Sequence, residues 1–190
     1  MTLRGREAQQ CKKIEECGWP QREDTTIDYA LRLADINPIY YVVTLLFVVI
    51  ITAVSRKLNL GLLAGYLFFA LAVTVLNRSP FTGNHFQPQL FWSWNVPRLR
   101  DQIIMNVIGF IPVGFLLASV LSSTSLSIFL SIPIASLISL SIELLQLITS
   151  RGLFEFDDVF HNSLGAVIGV GLFICFRWLL SSASVEDEVN

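Results

Sequence analysis

Apolar residues gather into five runs, at 39–54, 60–76, 103–121, 126–148 and 163–180. A helix crosses the hydrocarbon of a bilayer with about 20 residues, and a backbone facing lipid must satisfy its own hydrogen bonds. Runs this long and continuous predict helices, because barrel strands are about ten residues long and alternate apolar with polar. The first run reaches spanning length only with its flanks, and the fourth, long enough to tilt or kink, contains Pro133. The pattern predicts an all-α fold, a polytopic bundle of about five transmembrane helices. Short turns at 55–59 and 122–125 predict that runs one and two form a hairpin, as do runs three and four. Residues 77–102 form a long connection with Phe81, Phe86, Phe91, Trp92, Trp94 and three prolines. Aromatic side chains at that density belong at the headgroup level, so part of this loop is expected at the membrane surface. The chain divides into a polar tail (1–37), a first helix and turn (38–59), a main transmembrane domain (60–180) and a second polar tail (181–190).

Polar residues inside such runs are costly in lipid and mark function by default. In the fourth run Ser136, Ser139, Glu143, Gln146 and Ser150 are spaced 3, 4, 3 and 4, one stripe of a helix. Around the fifth, Asp158, Asn162, Gly165 and Gly169 are spaced 4, 3 and 4, again one face. Asp157 and Asp158 suit a helix start, where a carboxylate meets free N–H groups and the positive end of the dipole. Gly165 and Gly169 form a small-xxx-small pair that permits close helix contact, and Gly171 reads as a packing residue too. The third run carries Asn106 near its start, then Gly109, Pro112 and Gly114. It begins on the face where the fourth ends and the fifth begins. Asn106, Glu143, Gln146, Arg151, Asp157, Asp158 and Asn162 therefore converge at one level beside the aromatic loop, and Arg78 leaves the second run at the same face. Glu155 reads as an accessible loop position. Asp158 and His161 have metal spacing, but no third ligand is evident, and a site needs at least three. No nucleophile motif or phosphate loop is present, and the pattern calls for no cofactor and no metal.

Composition narrows the class. Hydrophobic residues make up 53% of the chain and charged residues 15%, against about 25% charged in soluble domains. With a formal charge of −2, the sequence excludes a disordered chain, a small soluble enzyme and a nucleic-acid binder, which would need a basic surface. Cys11, Cys17 and Cys175 make no disulfide framework. The positive-inside rule does not settle orientation: once remote and candidate site residues are set aside, Arg32, Arg98 and Arg100 stand against Arg56 and Lys57.

The motifs NRSPF (77–81), NVIGFIPVGFLL (106–117) and SIELLQLITSRGLFEFDDVFHNSLGAVIG (141–169) together resemble the VanZ-like membrane protein family, named for a protein linked to teicoplanin resistance. The resemblance covers about residues 60–180. It falls on Arg78, Pro80, Phe81, Asn106, Pro112, Gly114, Glu143, Gln146, Arg151, Asp158, Asn162 and Gly165. It implies a multi-pass protein of the bacterial cytoplasmic membrane with a site for an envelope lipid, an isoprenoid-linked precursor or a glycolipopeptide. On that reading Arg78 and Arg151 contact phosphate, Asn106, Gln146 and Asn162 supply amide hydrogen bonds, and Glu143 and Asp158 orient the arginines; Pro80, Phe81, Pro112, Gly114 and Gly165 are structural, as are Gly109 and Gly169 from the runs themselves. Two other readings stand beside it: a membrane-embedded transferase or hydrolase using Glu143 and Asp158, and a scaffold whose polar stripe serves only internal packing.

Overall fold

Asn37 and Pro38 open the first helix. The Asn37 side chain accepts the Ile39 N–H at 3.0 Å, and Pro38 occupies a first-turn position where no N–H is needed. In the structure, a computed structural model, residues 35–80, 82, 86, 87, 89–92, 94 and 100–189 are described, with side chains as far as Ser182. Phe81, His85, Cys11, Cys17 and the tail through residue 34 lie outside the described residues. Helix α1 runs Pro38–Ser55 and ends at Arg56, whose φ of 55° turns the chain sharply into α2, Leu58–Leu76. The last five residues of α2, Ala72–Leu76, are π-helical. Helix α3 is Arg100–Val120, α4 Ser125–Phe129, α5 Ser131–Thr149 and α6 Phe156–Val189. Strands β1 (Phe86–Gln87) and β2 (Phe154–Glu155) pair in parallel, Phe86 with Phe154 and Gln87 with Glu155. Among the described residues five segments are long and apolar enough to span a membrane: Pro38–Ser55, Leu58–Leu76, Arg100–Val120, Ser125–Thr149 and Phe156–Ser182. The fold is the expected all-α polytopic bundle.

Of three departures from the hydropathy pattern, the first two have local causes. The fourth run is two helices, because Pro133 has no N–H to give the Phe129 carbonyl and the helix breaks at Leu130. The last helix starts at Phe156, ahead of the apolar run, because Asp157 and Asp158 in its first turn complement the dipole. It also continues to Val189, through the segment expected as a polar tail.

Helices α1 and α2 form the expected hairpin, with Phe47 stacked on Phe68 at 4.9 Å. Helices α3 and α4 are joined by a short turn, but the most extensive contact of α3 is with α6. Small residues explain that choice. A Cβ at Gly114 would collide with the Ala166 backbone, one at Gly165 with the Val107 carbonyl, and one at Gly169 with the Ile111 carbonyl. Gly109 and Gly171 differ: a Cβ on either meets nothing within 4 Å. Neither is needed for close approach of the helices, and the Gly109 carbonyl accepts the Tyr66 hydroxyl at 2.7 Å. One stripe of α5 turns polar side chains inward while its opposite side exposes large apolar ones. On α5, Ser139, Glu143 and Gln146 are buried, while Leu137, Leu144, Leu145 and Ile148 are exposed. An apolar core of Leu63, Val75, Phe110, Val113, Leu117, Ala135, Ile142 and Ala166 fills the space between.

Gly165→Val and Gly114→Val should each destabilise the detergent-solubilised protein by about 1–3 kcal/mol or more, the cost of overpacking. Gly109→Ala and Gly171→Ala should leave its thermal unfolding temperature within about a degree or two of wild type, since their Cβ atoms meet open space. Equal effects at all four positions would contradict the packing.

Candidate functional site at one membrane face

Four elements deliver polar side chains to one end of the bundle. The inward stripe of α5 supplies Ser139, Glu143 and Gln146, and the first turns of α6 supply Asp157, Asp158, His161 and Asn162. The start of α3 supplies Gln102 and Asn106, and β2 supplies Glu155. Arg78 follows α2 and is exposed at the rim.

Glu143, 2% exposed, accepts the Glu155 N–H through Oε2 at 3.0 Å. Asp158 accepts Gln102 Nε2 at 3.4 Å. Asn106 lies close enough to favour the Asp158 carboxylate, yet its buried Nδ2 makes no hydrogen bond of ordinary geometry. Arg78 acts electrostatically on both Glu143 and Asp158. One turn deeper, Asn162 Nδ2 donates to Ser139 Oγ at 2.8 Å, and Ser136 and Ser163 share a hydrogen bond of 2.8 Å. Arg78, Asn106, Glu143 and Asp158 are therefore brought together, with Asn162 one turn deeper.

The other expected residues are used differently. Gln146 Nε2 donates to the Thr74 carbonyl at 3.4 Å. Arg151 Nη1 donates to the carbonyls of Leu76, at 2.8 Å, and Val75, at 3.4 Å. Both hold the π-helical end of α2, where i→i+5 bonding disturbs the regular carbonyl pattern. Arg151 thus supports the backbone that leads to Arg78. Asp157, fully buried, accepts the Phe91 N–H, so it anchors the loop. Phe91 has a φ of 60°, a conformation unfavourable for a bulky residue and one held by its surroundings. Pro80 is exposed just beyond the end of α2, and Pro112 lies inside α3.

The described part of the aromatic loop folds over this cluster. Phe86 stacks on Phe154 at 5.3 Å, and Phe91 meets Phe160 edge-on at 5.2 Å. Trp94 Nε1 donates to His161 Nε2 at 2.8 Å, its ring stacked on the imidazole. Trp92 is buried, a correction to its reading as a headgroup anchor, whereas Phe86, Phe91 and Trp94 remain exposed. Trp92, Gln102 and Glu155 belong to the site without a sequence signal for it, and His161, weighed in the sequence only for metal spacing, belongs to it too. Glu155, expected to be accessible, is 2% exposed. Its partner strand lies 68 residues away, so nothing local to Glu155 reveals the pairing.

Burial pushes the Glu155 carboxyl well above the usual carboxylate range, and Asp158, Glu143 and Asp157 push it further. The Trp92 indole N–H pulls the other way, although it makes no hydrogen bond of ordinary geometry. A protonated Glu155 relieves repulsion among the four neighbouring acids Glu143, Glu155, Asp157 and Asp158.

These features define a polytopic helical membrane protein with a buried polar centre at one face. The chain belongs to the VanZ/LLP1 family, whose model matches residues 39–177. The match takes in α1, which the motif resemblance did not reach. No curated protein and no solved structure matches the chain.

A carboxyl whose folded-state pKa is raised stabilises the folded chain most below its unfolded value, 4.5 here, and loses that contribution as pH rises toward the raised value. Glu155→Gln keeps the neutral form at every pH. Its unfolding temperature relative to wild type should therefore climb as pH is raised from about 5 upward, measured by thermal unfolding in detergent. A difference that stays flat across that range would contradict the assignment.

Proposed function

We propose that the polar centre binds the headgroup of a cell-envelope lipid, or of a glycolipopeptide, at one face of the bacterial cytoplasmic membrane. The observation that carries this reading is the gathering of Glu143, Glu155, Asp157 and Asp158 with Arg78 beneath an aromatic loop. Ionisable groups at membrane depth are expensive to keep, and helix contact alone does not require them. The chemistry favours a ligand rich in hydroxyls and amines. Carboxylates accept from such groups, and the amides of Gln102 and Asn106 both donate and accept. Arg78, exposed at the rim, suits a phosphate or carboxylate on the same headgroup. The exposed rings of Phe86, Phe91 and Trp94 offer an apolar approach for the lipid chain. A role in envelope biogenesis or glycopeptide tolerance follows from a ligand of this class.

The electrostatic coupling of Glu143 and Asp158 favours a second reading, in which they form an acid–base pair for transfer or hydrolysis at a lipid phosphate. Full cellular activity of Glu143→Gln would remove it.

Trp92 and Trp94 make binding directly measurable by fluorescence. An isoprenoid-diphosphate-linked sugar and teicoplanin, each titrated separately, serve as probes. At least one should change the emission saturably in wild type, and Arg78→Gln and Glu143→Gln should weaken that probe by about tenfold or more, the loss of one charge-assisted bond. Binding of both probes that is unchanged by either substitution would overturn the proposal.

A further inference from the structure

The opposite end of the bundle holds a groove. A cavity of about 260 Å³ lies between α4 and the far part of α6, lined by Ser125, Ile128, Phe129, Ile174 and Arg177. It exists beside the helix break that Pro133 imposes, which separates α4 from α5. Its floor is fixed: Ile128 is buried in a cluster with Ala118, Val170 and Phe173. Its walls are open, because Phe129 is 56% and Ile174 40% exposed. Arg177 stands at the rim, with one nitrogen on the Ser122 carbonyl at 3.4 Å. A guanidinium has five N–H donors, so that contact steers the group without using up its capacity.

We infer that this groove holds one anionic membrane phospholipid, its phosphate on Arg177 and an acyl chain against Ile128, Phe129 and Ile174. Charge selects the occupant. Arg56 and Lys57, in the α1–α2 turn, lie at the same membrane face, and neither that turn nor residues 121–125 contains an Asp or Glu. The first acid after Arg177 is Glu186, nine residues further and about 13 Å along the helix axis. A second copy of this chain docking symmetrically would set Arg177 against Arg177, so like charge disfavours it. A planar fork on phosphate, with apolar walls below, suits a lipid that presents both. This site is independent of the acidic centre at the other face.

Native mass spectrometry tests it on purified protein in micelles containing equal phosphatidylglycerol and phosphatidylcholine. Wild type should retain one phosphatidylglycerol in preference to phosphatidylcholine by about tenfold. Arg177→Gln should bring the two lipids near parity, and Ile174→Trp, which fills the groove, should abolish retention of either. Arg100→Gln, which removes a cation at the other face, should retain phosphatidylglycerol as wild type does. Equal retention of both lipids by wild type overturns the inference. So does unchanged preference in both Arg177→Gln and Ile174→Trp, or a lipid-free dimer whose contact buries Ile174. Should Arg177→Gln fail to fold, Ile174→Trp decides alone.

Discussion

The close approach of α3 and α6 fixes everything at the polar end of the bundle. Gly114, Gly165 and Gly169 let the two backbones touch at Ala166, Val107 and Ile111. Without a hydrophobic driving force between helices in lipid, such backbone contact is a principal source of helix association. Its geometric consequence is local: the first turns of α3 and α6 lie side by side, which sets Gln102 and Asn106 against Asp158. Helix α5 packs on α6 from another side and brings Glu143 to the same level. A wider separation of α3 and α6 would open Asp158 to lipid and leave its carboxylate without these donors.

Given that frame, the remaining elements restrain charge. Glu143 takes a backbone N–H from β2, Asp157 takes one from Phe91, and Asp158 takes an amide from Gln102. Two of these three donors belong to connections between helices, so the carboxylates hold the loops as much as the loops cover the carboxylates. Arg151 and Gln146 act at one remove, on the carbonyls that end α2, and so govern where Arg78 leaves the helix. The result is an acidic centre with the Arg78 guanidinium at its rim and an aromatic cover. Such a centre suits a polyhydroxylated or amine-bearing headgroup better than a bare phosphate.

Much of this was legible because helical periodicity survives in lipid. The spacing of Ser139, Glu143 and Gln146 and that of Asp158, Asn162, Gly165 and Gly169 each defines a face, and those faces are the buried ones. Chain order alone put the start of α3 level with the end of α5. What hydropathy could not carry was backbone chemistry. Arg151 binds carbonyls exposed by a π-helical turn, and no residue type in AVTVL announces that turn. Glu155 is buried by a strand pairing with residues 68 positions earlier, and Trp92 by the fold of the same loop. Gly109 and Gly114 look equivalent as letters, but only Gly114 faces a neighbouring backbone.

On the proposed function, Arg78, Glu143 and Asp158 serve a ligand and not the packing of the helices. Replacing a buried ionic group by apolar residues of similar volume is often neutral or stabilising, by about 1–4 kcal/mol. The most direct test is the unfolding temperature of a triple variant, Arg78→Met with Glu143→Gln and Asp158→Leu, in which the new amide on α5 keeps an acceptor for the Glu155 N–H. The account predicts a protein at least as stable as wild type. A variant that unfolds several degrees lower would contradict it, because the cluster would then be what holds the helices together.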